Sequence, residues 1–178
     1  MPEQIKKSIR EIPNFPKEGI LFYDITTLFA DPLSYRRAMD MLIYRYLENK
    51  PDMFVGIEAR GFLIASTLAY ALGTGVAIIR KPGKLPFDTF KESYELEYGT
   101  DQMEMHVDAV KPGQKVVVLD DLLATGGTLE AAAKLVERAG ATVSELACIV
   151  ELTFLPGRQK LSKYTVHSLV TYDSEEVK

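Results

Sequence analysis

Two patterns of apolar residues alternate along this 178-residue chain, one typical of buried strands and one typical of helices. Short apolar runs, which are typical of buried strands, occur at residues 53–57, 76–79, 115–119, 142–150 and 165–171. Between them lie segments whose apolar residues are three or four apart, which predicts helices over residues 32–48, 61–72 and 127–139. Asp31-Pro32 suits the start of the first helix, and Gly73 and Gly140 suit the ends of the other two. Alternating strands and helices predict a single α/β domain, in which helices cover both faces of a mostly parallel sheet.

The remaining segments depart from this alternation. Three isoleucines spaced four and three apart predict a short amphipathic helix over residues 3–11. Residues 81–92 have no period and contain two prolines and a glycine, so we expect a loop there. Residues 93–98 and 102–107 both alternate and face each other across three turn residues, as the strands of a β-hairpin do.

Composition and charge narrow the class of protein. Apolar residues make up 47% of the chain, which is enough for a sizeable core, and the net charge of -4 argues against broad nucleic-acid binding. The single cysteine, Cys148, lies in an apolar run, so we expect a buried structural thiol. No apolar run approaches the roughly 20 residues of a membrane span, and the N-terminus lacks the apolar region of a signal peptide. We therefore expect a cytoplasmic protein with no membrane partner.

The segment VVVLDDLLATGGT, residues 116–128, combines two kinds of ligand-binding group. Asp120 and Asp121 follow an apolar run, and their carboxylates are strong acceptors for hydroxyl groups. The small-residue turn after them opens a helix, whose free N–H groups and glycines suit a phosphate. Neither the triphosphate loop nor the dinucleotide fingerprint fits this spacing. A sugar phosphate explains both features, whereas an ordinary capped turn, the competing interpretation, leaves the whole pattern unexplained.

The same segment resembles the phosphoribosyl-diphosphate (PRPP) signature of the type I phosphoribosyltransferases. Further segments resemble that family in the same order, from about residue 5 to 172: FPKEGILFYDIT, EARGFLIASTLAYALG, IRKPGKLP, SYELEYGTDQMEMH and VELTFLPGR. The Leu122-Leu123 pair is most similar to the members that use adenine. The resemblance implies the type I phosphoribosyltransferase fold over residues 1–178, with a small N-terminal hood of about residues 1–30 and a lid hairpin within about residues 81–107.

The resemblance also implies the PRPP-binding residues. Asp120 and Asp121 would face the ribose hydroxyls, and one of them could steady the positive charge that develops on the ribose ring. The 5'-phosphate would occupy the turn formed by Ala124, Thr125, Gly126, Gly127 and Thr128. The candidates for the diphosphate are the cations Arg60, Arg80, Lys81 and Lys84. Mg²⁺ would be held mainly by the substrate's diphosphate, its diol and water, with no direct protein ligand.

Catalysis and base choice follow from the resemblance as well. Glu97 and Tyr98 match the family's catalytic pair in the lid, where Glu97 would act as general base or stabilise the protonated base. Without the resemblance, an exposed strand carboxylate would be the better interpretation of Glu97. Adenine would lie between Phe22 and Leu152, and backbone groups of Leu21 and Tyr23 would contact its edge. Plain core positions are the competing interpretation of Phe22 and Leu152.

Three positions depart from the family's usual pattern. Ala59 stands where serine is frequent, so a hydroxyl contact to the diphosphate is lost. Pro82 stands where a basic residue is common, and Tyr23 stands where an arginine is common. The family can also carry a cis peptide before the arginine of EARG, which here falls at Glu58-Ala59. The histidines, His106 and His167, suit ordinary strand positions rather than catalysis.

The implied activity is pentosyl transfer from PRPP to adenine, giving AMP and diphosphate in purine salvage, with Mg²⁺ and in a homodimer. A transferase for an oxo-purine (hypoxanthine, guanine or xanthine) is the nearest alternative. Such a base calls for a donor near its 6-position, and no lysine lies in or next to ILFYD. A PRPP-sensing regulator that binds nucleic acid is a further alternative, which the acidic total disfavours. A scaffold role leaves the phosphate turn and the cationic loop unexplained.

Overall fold

The computed structural model describes residues 2–95 and 100–174. Within these residues, the chain up to residue 72 contains α1 (Pro2–Lys6), β1 (Arg10–Pro13), β2 (Leu21–Asp24), α2 (Thr26–Ala30), α3 (Pro32–Tyr46), β3 (Met53–Ile57) and α4 (Arg60–Leu72). The rest contains β4 (Gly75–Ile79), β5 (Thr89–Glu95), β6 (Thr100–His106), β7 (Lys115–Leu123), α5 (Gly127–Arg138), β8 (Thr142–Leu152), α6 (Gly157–Lys160) and β9 (Val166–Tyr172). None of these helices is long and apolar enough to cross a membrane.

A five-stranded sheet in the order β4-β3-β7-β8-β9 forms the centre of the molecule, and all of its pairings are parallel. Helices α3 and α4 pack on one face and α5 on the other. The α/β class and the parallel central sheet expected from the sequence are therefore confirmed.

The alternation of strand side chains explains this layering. Residues that face α3 and α4 include Phe54, Val117, Leu119, Ala147 and Ile149. The residues between them, which include Val55, Val116, Val118, Leu146 and Cys148, face α5. Because both faces are covered, the strands read as unbroken apolar runs rather than as alternating ones. Cys148 is buried and unpaired, as predicted.

The chain changes direction between β3 and β7, two neighbouring strands of the sheet. After β3 it crosses through α4 to β4 on one side, whereas after β7 it crosses through α5 to β8 on the other side. In open α/β sheets, ligands bind beyond the carboxyl ends of the strands at such a switch point. This topology predicts a ligand site between residues 58–60, which follow β3, and the segment that follows Leu119 in β7.

The prediction of a helix over residues 3–11 is wrong beyond Lys6. Residues Arg10–Pro13 instead form β1, which pairs antiparallel with β2 in a separate two-stranded sheet. The ion pair between Arg10 Nη2 and Asp24 Oδ2, at 2.6 Å, joins the two strands. A contact between residues 14 positions apart therefore outweighs the local helical spacing.

The hairpin of β5 and β6 is confirmed, but its bounds differ from the prediction. Strand β5 begins at Thr89, so residues 89–92 are not part of the loop. Thr100 and Asp101, which the sequence placed in the turn, belong to β6. Met103 and Met105 are buried on the α5 side of the sheet. The bounds follow from the register, which pairs Thr89 with His106 and Glu95 with Thr100.

Strand β7 is longer than its apolar run predicted. It continues through Asp120 and Asp121 to Leu123, because it stays paired with β8 as far as Leu123 and Glu151. The two carboxylates therefore lie within the strand rather than in the turn after it. Short helices α2 and α6 were not predicted, since neither is long enough to show a period.

Candidate active site

A cleft of about 330 Å³ opens beyond the carboxyl ends of β3 and β7. Its walls come from β2, from the starts of α4 and of the loop after β4, from the hairpin, and from the segment between β7 and α5. The lining residues that the sequence pointed to are Phe22, Tyr23, Arg60, Arg80, Lys81, Asp120, Asp121, Ala124, Thr125, Gly126 and Thr128. Most of the candidate site is therefore brought together by the fold.

The turn before α5 has the form of an anion site. Its N-cap residue, Gly126, has a φ of 84° and no side chain to satisfy the first N–H groups of the helix. These N–H groups and the helix dipole therefore remain available to an anion. Gly127 begins the helix and is buried, while the hydroxyl residues Thr125 and Thr128 line the cleft beside it.

Helix α6 supports this turn through contact between backbones. A Cβ atom on Gly157 would lie 2.2 Å from the carbonyl oxygen of Ala124, and one on Gly126 would lie 2.9 Å from the carbonyl oxygen of Gly157. Arg158 holds α6 on the sheet, because its Nε and Nη2 donate to the carboxylate of Glu151 at 2.6 and 2.5 Å. Sequence reasoning quoted the segment that contains Gly157 but gave the residue no role.

A second close approach places Arg60 beside the carboxylates of β7. A Cβ atom on Gly61 would lie 2.5 Å from the carbonyl oxygen of Leu119, so the first turn of α4 rests directly on β7. Arg60 Nε consequently donates to Asp121 Oδ2. The peptide bond between Glu58 and Ala59 is cis, as the resemblance implied.

Asp120 and Asp121 are adjacent and both buried, but their carboxyl groups have different partners. Asp121 is bound to Arg60, whereas Asp120 Oδ1 accepts a hydrogen bond of 2.9 Å from the backbone N–H of Asp121. Burial, followed by the nearby charge of Asp121, raises the pKa of Asp120 well above its usual range. The pair thus offers one carboxylate compensated by a cation and one carboxyl that favours a proton.

The loop after β4 brings two more cations to the cleft. Arg80 Nε lies 3.3 Å from Glu58 Oε2, which also accepts the backbone N–H of Lys81 at 2.7 Å. The pKa of Glu58 is lowered mainly by the hydrogen bond from the backbone N–H of Lys81. Burial opposes this lowering, and Arg80 adds to it. The ammonium of Lys81 contacts Asp101 on β6. Lys84 is exposed, and its side chain is not among those that line the cleft.

The base-binding candidates divide between the cleft and the core. Phe22 is half-buried in the cleft wall, where its ring meets Phe15 edge-on at 5.1 Å. Side chains of Leu21 and Tyr23 are buried, the latter against Tyr172 with ring centroids 3.9 Å apart. Leu152 is also buried in the core and does not line the cleft.

Several apolar lining residues had no assigned contact in the sequence analysis. Leu122 and Leu123 line the cleft from the end of β7. In the sequence, Leu122 and Leu123 stand out only as part of the signature. Their place in the cleft depends on how far β7 continues, which the apolar run does not show. Glu97 and Tyr98, the candidate catalytic pair, lie outside the described residues. Among residues 2–95 and 100–174, no cluster of three or more His, Cys, Asp or Glu side chains could hold a metal ion.

Comparison with known proteins identifies relatives over nearly the whole chain. The phosphoribosyl transferase domain family matches residues 24–176. Adenine phosphoribosyltransferases of Syntrophotalea carbinolica and Geotalea uraniireducens are 54% and 53% identical to this chain over 170 residues, which is 96% of the chain and 99% of each relative.

Solved structures agree with the sequence relatives. Adenine phosphoribosyltransferase from Thermoanaerobacter pseudethanolicus superimposes with a TM-score of 0.93 at 51% identity, covering 97% of this chain and all (100%) of that one. The Saccharomyces cerevisiae enzyme, in complex with an imino-altritol bisphosphate and adenine, has a TM-score of 0.88 at 42% identity and covers 94% and 98% of the two chains. The chain therefore belongs to the type I phosphoribosyltransferases, in the family of the adenine phosphoribosyltransferases.

Proposed function

We propose that this protein transfers the phosphoribosyl group of PRPP to adenine, giving AMP and diphosphate in purine salvage. The observation that carries the proposal is the cleft itself, where a helix N-terminus without a side-chain cap, a carboxyl pair and three cations converge. Relatives support the choice of substrates, since one was solved with adenine and another, from Trypanosoma brucei, with AMP, pyrophosphate and ribose-5-phosphate.

The parts of PRPP match the parts of the cleft. The 5'-phosphate binds at the turn of Ala124–Thr128, where backbone N–H groups and threonine hydroxyls donate to it. Asp120 and Asp121 accept hydrogen bonds from the ribose hydroxyls. Arg60, Arg80 and Lys81 contact the diphosphate. Lys84 lies in the same loop as Lys81 and adds positive charge at the rim of the cleft.

Mg²⁺ fits this arrangement as an ion carried by the substrate. Among the described residues, three carboxyl groups line the cleft: that of Asp121 binds Arg60, that of Glu58 binds Arg80 and the N–H of Lys81, and that of Asp120 favours a proton. None of the three is therefore a ready direct ligand, and the diphosphate, the diol and water would complete the shell of the ion. When bound, Mg²⁺ neutralises charge on the diphosphate and makes it a better leaving group.

The reaction is a displacement at C1 of the ribose. The attacking ring nitrogen of adenine forms a bond to C1, the bond from C1 to the diphosphate oxygen breaks, and the nitrogen loses its proton. Inversion at C1 is expected for such a displacement. Positive charge grows on the ribose ring as the bond from C1 to the diphosphate breaks and before the bond to nitrogen is complete. A carboxylate of the buried pair stabilises this charge.

Glu97 and Tyr98 would complete the site from the hairpin. Glu97 accepts or stabilises the proton of the base, and Tyr98 helps to close the site against water, which would otherwise hydrolyse PRPP. Residues 81–107 act as the lid in this proposal, with the loop before β5 and the strands of the hairpin as its parts.

Adenine is selected by an apolar wall and by backbone groups. Phe22 stacks on one face of the base, and the core around Leu152 supports the opposite wall. Because the side chains of Leu21 and Tyr23 are buried, their backbone groups contact the edge of the base. Tyr23 thus replaces the arginine common in the family without adding a side-chain donor to the cleft.

A spectrophotometric assay with PRPP and Mg²⁺ tests the activity. Adenine, hypoxanthine, guanine and xanthine are offered separately, and we expect AMP from adenine and no product from the oxo-purines. Glu97→Ala should lower kcat, and the half-buried control Glu92→Ala, on strand β5 of the same hairpin, should not. Product from an oxo-purine alone would keep the phosphate site and reject the base assignment. Binding of PRPP without transfer to any base would favour the regulator.

Assembly and compartment belong to the same proposal. Helix α4 exposes Leu63 and Tyr70 at 48% and 92%, and the edge strand β4 exposes Val76 and Ile78. Apolar groups so exposed on neighbouring elements suit an interface between two copies of the chain. We therefore infer a homodimer, in which this surface, defined by Leu63, Tyr70, Val76 and Ile78, is the contact. The cytoplasmic location expected from the sequence belongs to the same proposal.

A further inference from the structure

Three cations line the cleft, and each contacts a carboxylate of the protein. Arg60 contacts Asp121, Arg80 contacts Glu58, and Lys81 contacts Asp101. Asp121 belongs to β7 and Glu58 directly follows β3, so both are fixed to the central sheet. Asp101 belongs instead to β6 of the hairpin. Among these three pairs, that of Lys81 alone joins the cleft to the hairpin.

The Lys81 contact is reinforced across the hairpin. Tyr94 and Asp101 are opposite each other in the β5–β6 register. The Tyr94 hydroxyl donates to Asp101 Oδ2 at 3.0 Å, and Lys81 Nζ donates to that hydroxyl at 3.2 Å. The carboxylate is thereby oriented towards the ammonium by a buried aromatic side chain.

Lys81 can exchange this partner without moving its loop. Its backbone is held separately, because its N–H donates to Glu58 at 2.7 Å. The next turn of the loop is held by Glu104, whose Oε2 accepts the N–H of Gly83 at 3.1 Å. The ammonium lies at the end of a flexible stem and the side chain is 46% exposed, so it is free to swing towards an anion in the cleft.

We propose that Asp101 is a positioning residue that competes with diphosphate for Lys81. It holds the ammonium on the hairpin while that part of the cleft is empty, and it loses this contact when diphosphate binds. The inference rests on the proposed function, which assigns Lys81 to the diphosphate. Its consequence is a coupling between diphosphate occupancy and the attachment of the hairpin to the cleft.

Calorimetric binding of inorganic diphosphate in the presence of Mg²⁺ tests the inference. Removal of one partly exposed ion contact changes affinity modestly, so Asp101→Asn should bind diphosphate about two- to fivefold more tightly than the unmodified chain. Lys81→Ala should bind it about tenfold more weakly. In the Lys81→Ala background, Asp101→Asn should have no effect, because the two residues act through one contact.

Matched variants separate competition from charge. Asp108→Asn removes the same charge from an exposed position just after β6 and should leave binding unchanged. Equal tightening in Asp101→Asn with and without Lys81 would mean that only the field of the carboxylate matters, and would overturn the inference. So would unchanged or weaker binding in Asp101→Asn. If the unmodified chain makes AMP in any of these cases, the proposed function stands; if it neither makes AMP nor binds diphosphate, both fall.

Discussion

Asp120 and Asp121 differ in the groups that stabilise their negative charges. The carboxylate of Asp121 has Arg60 as a partner, whereas Asp120 is buried beside a like charge and accepts one backbone N–H. A carboxyl whose pKa is raised on folding binds more protons in the folded state than in the unfolded state. Its contribution to stability therefore falls as the pH rises from the ordinary aspartate pKa of 3.8 through the raised pKa. At neutral pH this residue opposes folding.

Asp120→Asn should therefore stabilise the protein at neutral pH while it impairs catalysis. Asparagine keeps an oxygen for the N–H of Asp121 but does not titrate. We expect the melting temperature at pH 7 to rise by about 2–4 °C, the shift that about 1 kcal/mol gives in a domain of this size. The gain should shrink as the pH falls towards 4. If the ribose hydroxyls bind this carboxyl, kcat/KM should fall at least about tenfold.

Asp121→Asn is the matched comparison. It removes the partner of Arg60, so the melting temperature and kcat/KM should both fall. Equal effects of the two substitutions on melting temperature, measured by scanning calorimetry at pH 7 and 4.5, would contradict the different environments described for the two carboxyl groups.

Helix α6 has only four residues, yet it determines the shape of the phosphate turn. Its first residue, Gly157, touches the carbonyl of Ala124 without an intervening side chain, and Arg158 fastens it to the buried Glu151. A methyl group at Gly157 has no room unless α6 or the turn moves. The position of the turn, the proposed 5'-phosphate site, therefore depends on an element about 30 residues further along the chain.

Gly157→Ala should raise the KM for PRPP about tenfold or more and lower the free energy of unfolding by about 1–3 kcal/mol. Steady-state kinetics and urea unfolding measure the two effects. Gly73→Ala serves as the control, because the φ of 64° at Gly73 strains any side chain but an added Cβ there has nothing within 4 Å. It should cost about 1 kcal/mol of stability and leave the KM unchanged. A normal KM in Gly157→Ala would show that the turn does not depend on α6.

Elements with an unbroken local pattern were predictable from the sequence. Residues 53–57 match β3, and the helix predicted over 61–72 begins one residue earlier, at Arg60. The errors arose where a distant partner decides the conformation. Strand β1 exists because it pairs with β2, and β7 extends to Leu123 because β8 continues beside it.

The site shows the same division. The turn of residues 124–128 and three of the four cations do line the cleft, and the sequence pointed to them because each lies in a compact segment with a recognisable chemistry. Gly157 and Asp101 were not, since their roles come from contacts with Ala124 and Lys81, which are distant in sequence. Lys84 and Leu152 lie in the expected segments, but neither residue lines the cleft.

At the scale of the whole molecule, the surface of Leu63, Tyr70, Val76 and Ile78 should control assembly. We expect light scattering to give about twice the chain mass of 19.9 kDa for the unmodified protein. Tyr70→Glu should place a charge in the contact and yield the monomer. Tyr44→Glu, at a similarly exposed tyrosine on α3, should remain dimeric. A monomeric unmodified protein would remove the homodimer from the proposal.

The pairing of Arg60, Arg80 and Lys81 with carboxylates has a consequence for selectivity. An entering anion exchanges one ion contact for another at each of these cations, and a single exchange of this kind releases little free energy. Free phosphate is abundant in cells, but it contacts only one of these cations at a time, so its binding releases little free energy. A ligand that spans the helix N-terminus and the cations together adds each later contact at a high effective concentration. The cleft therefore discriminates among anions by their reach rather than by their charge.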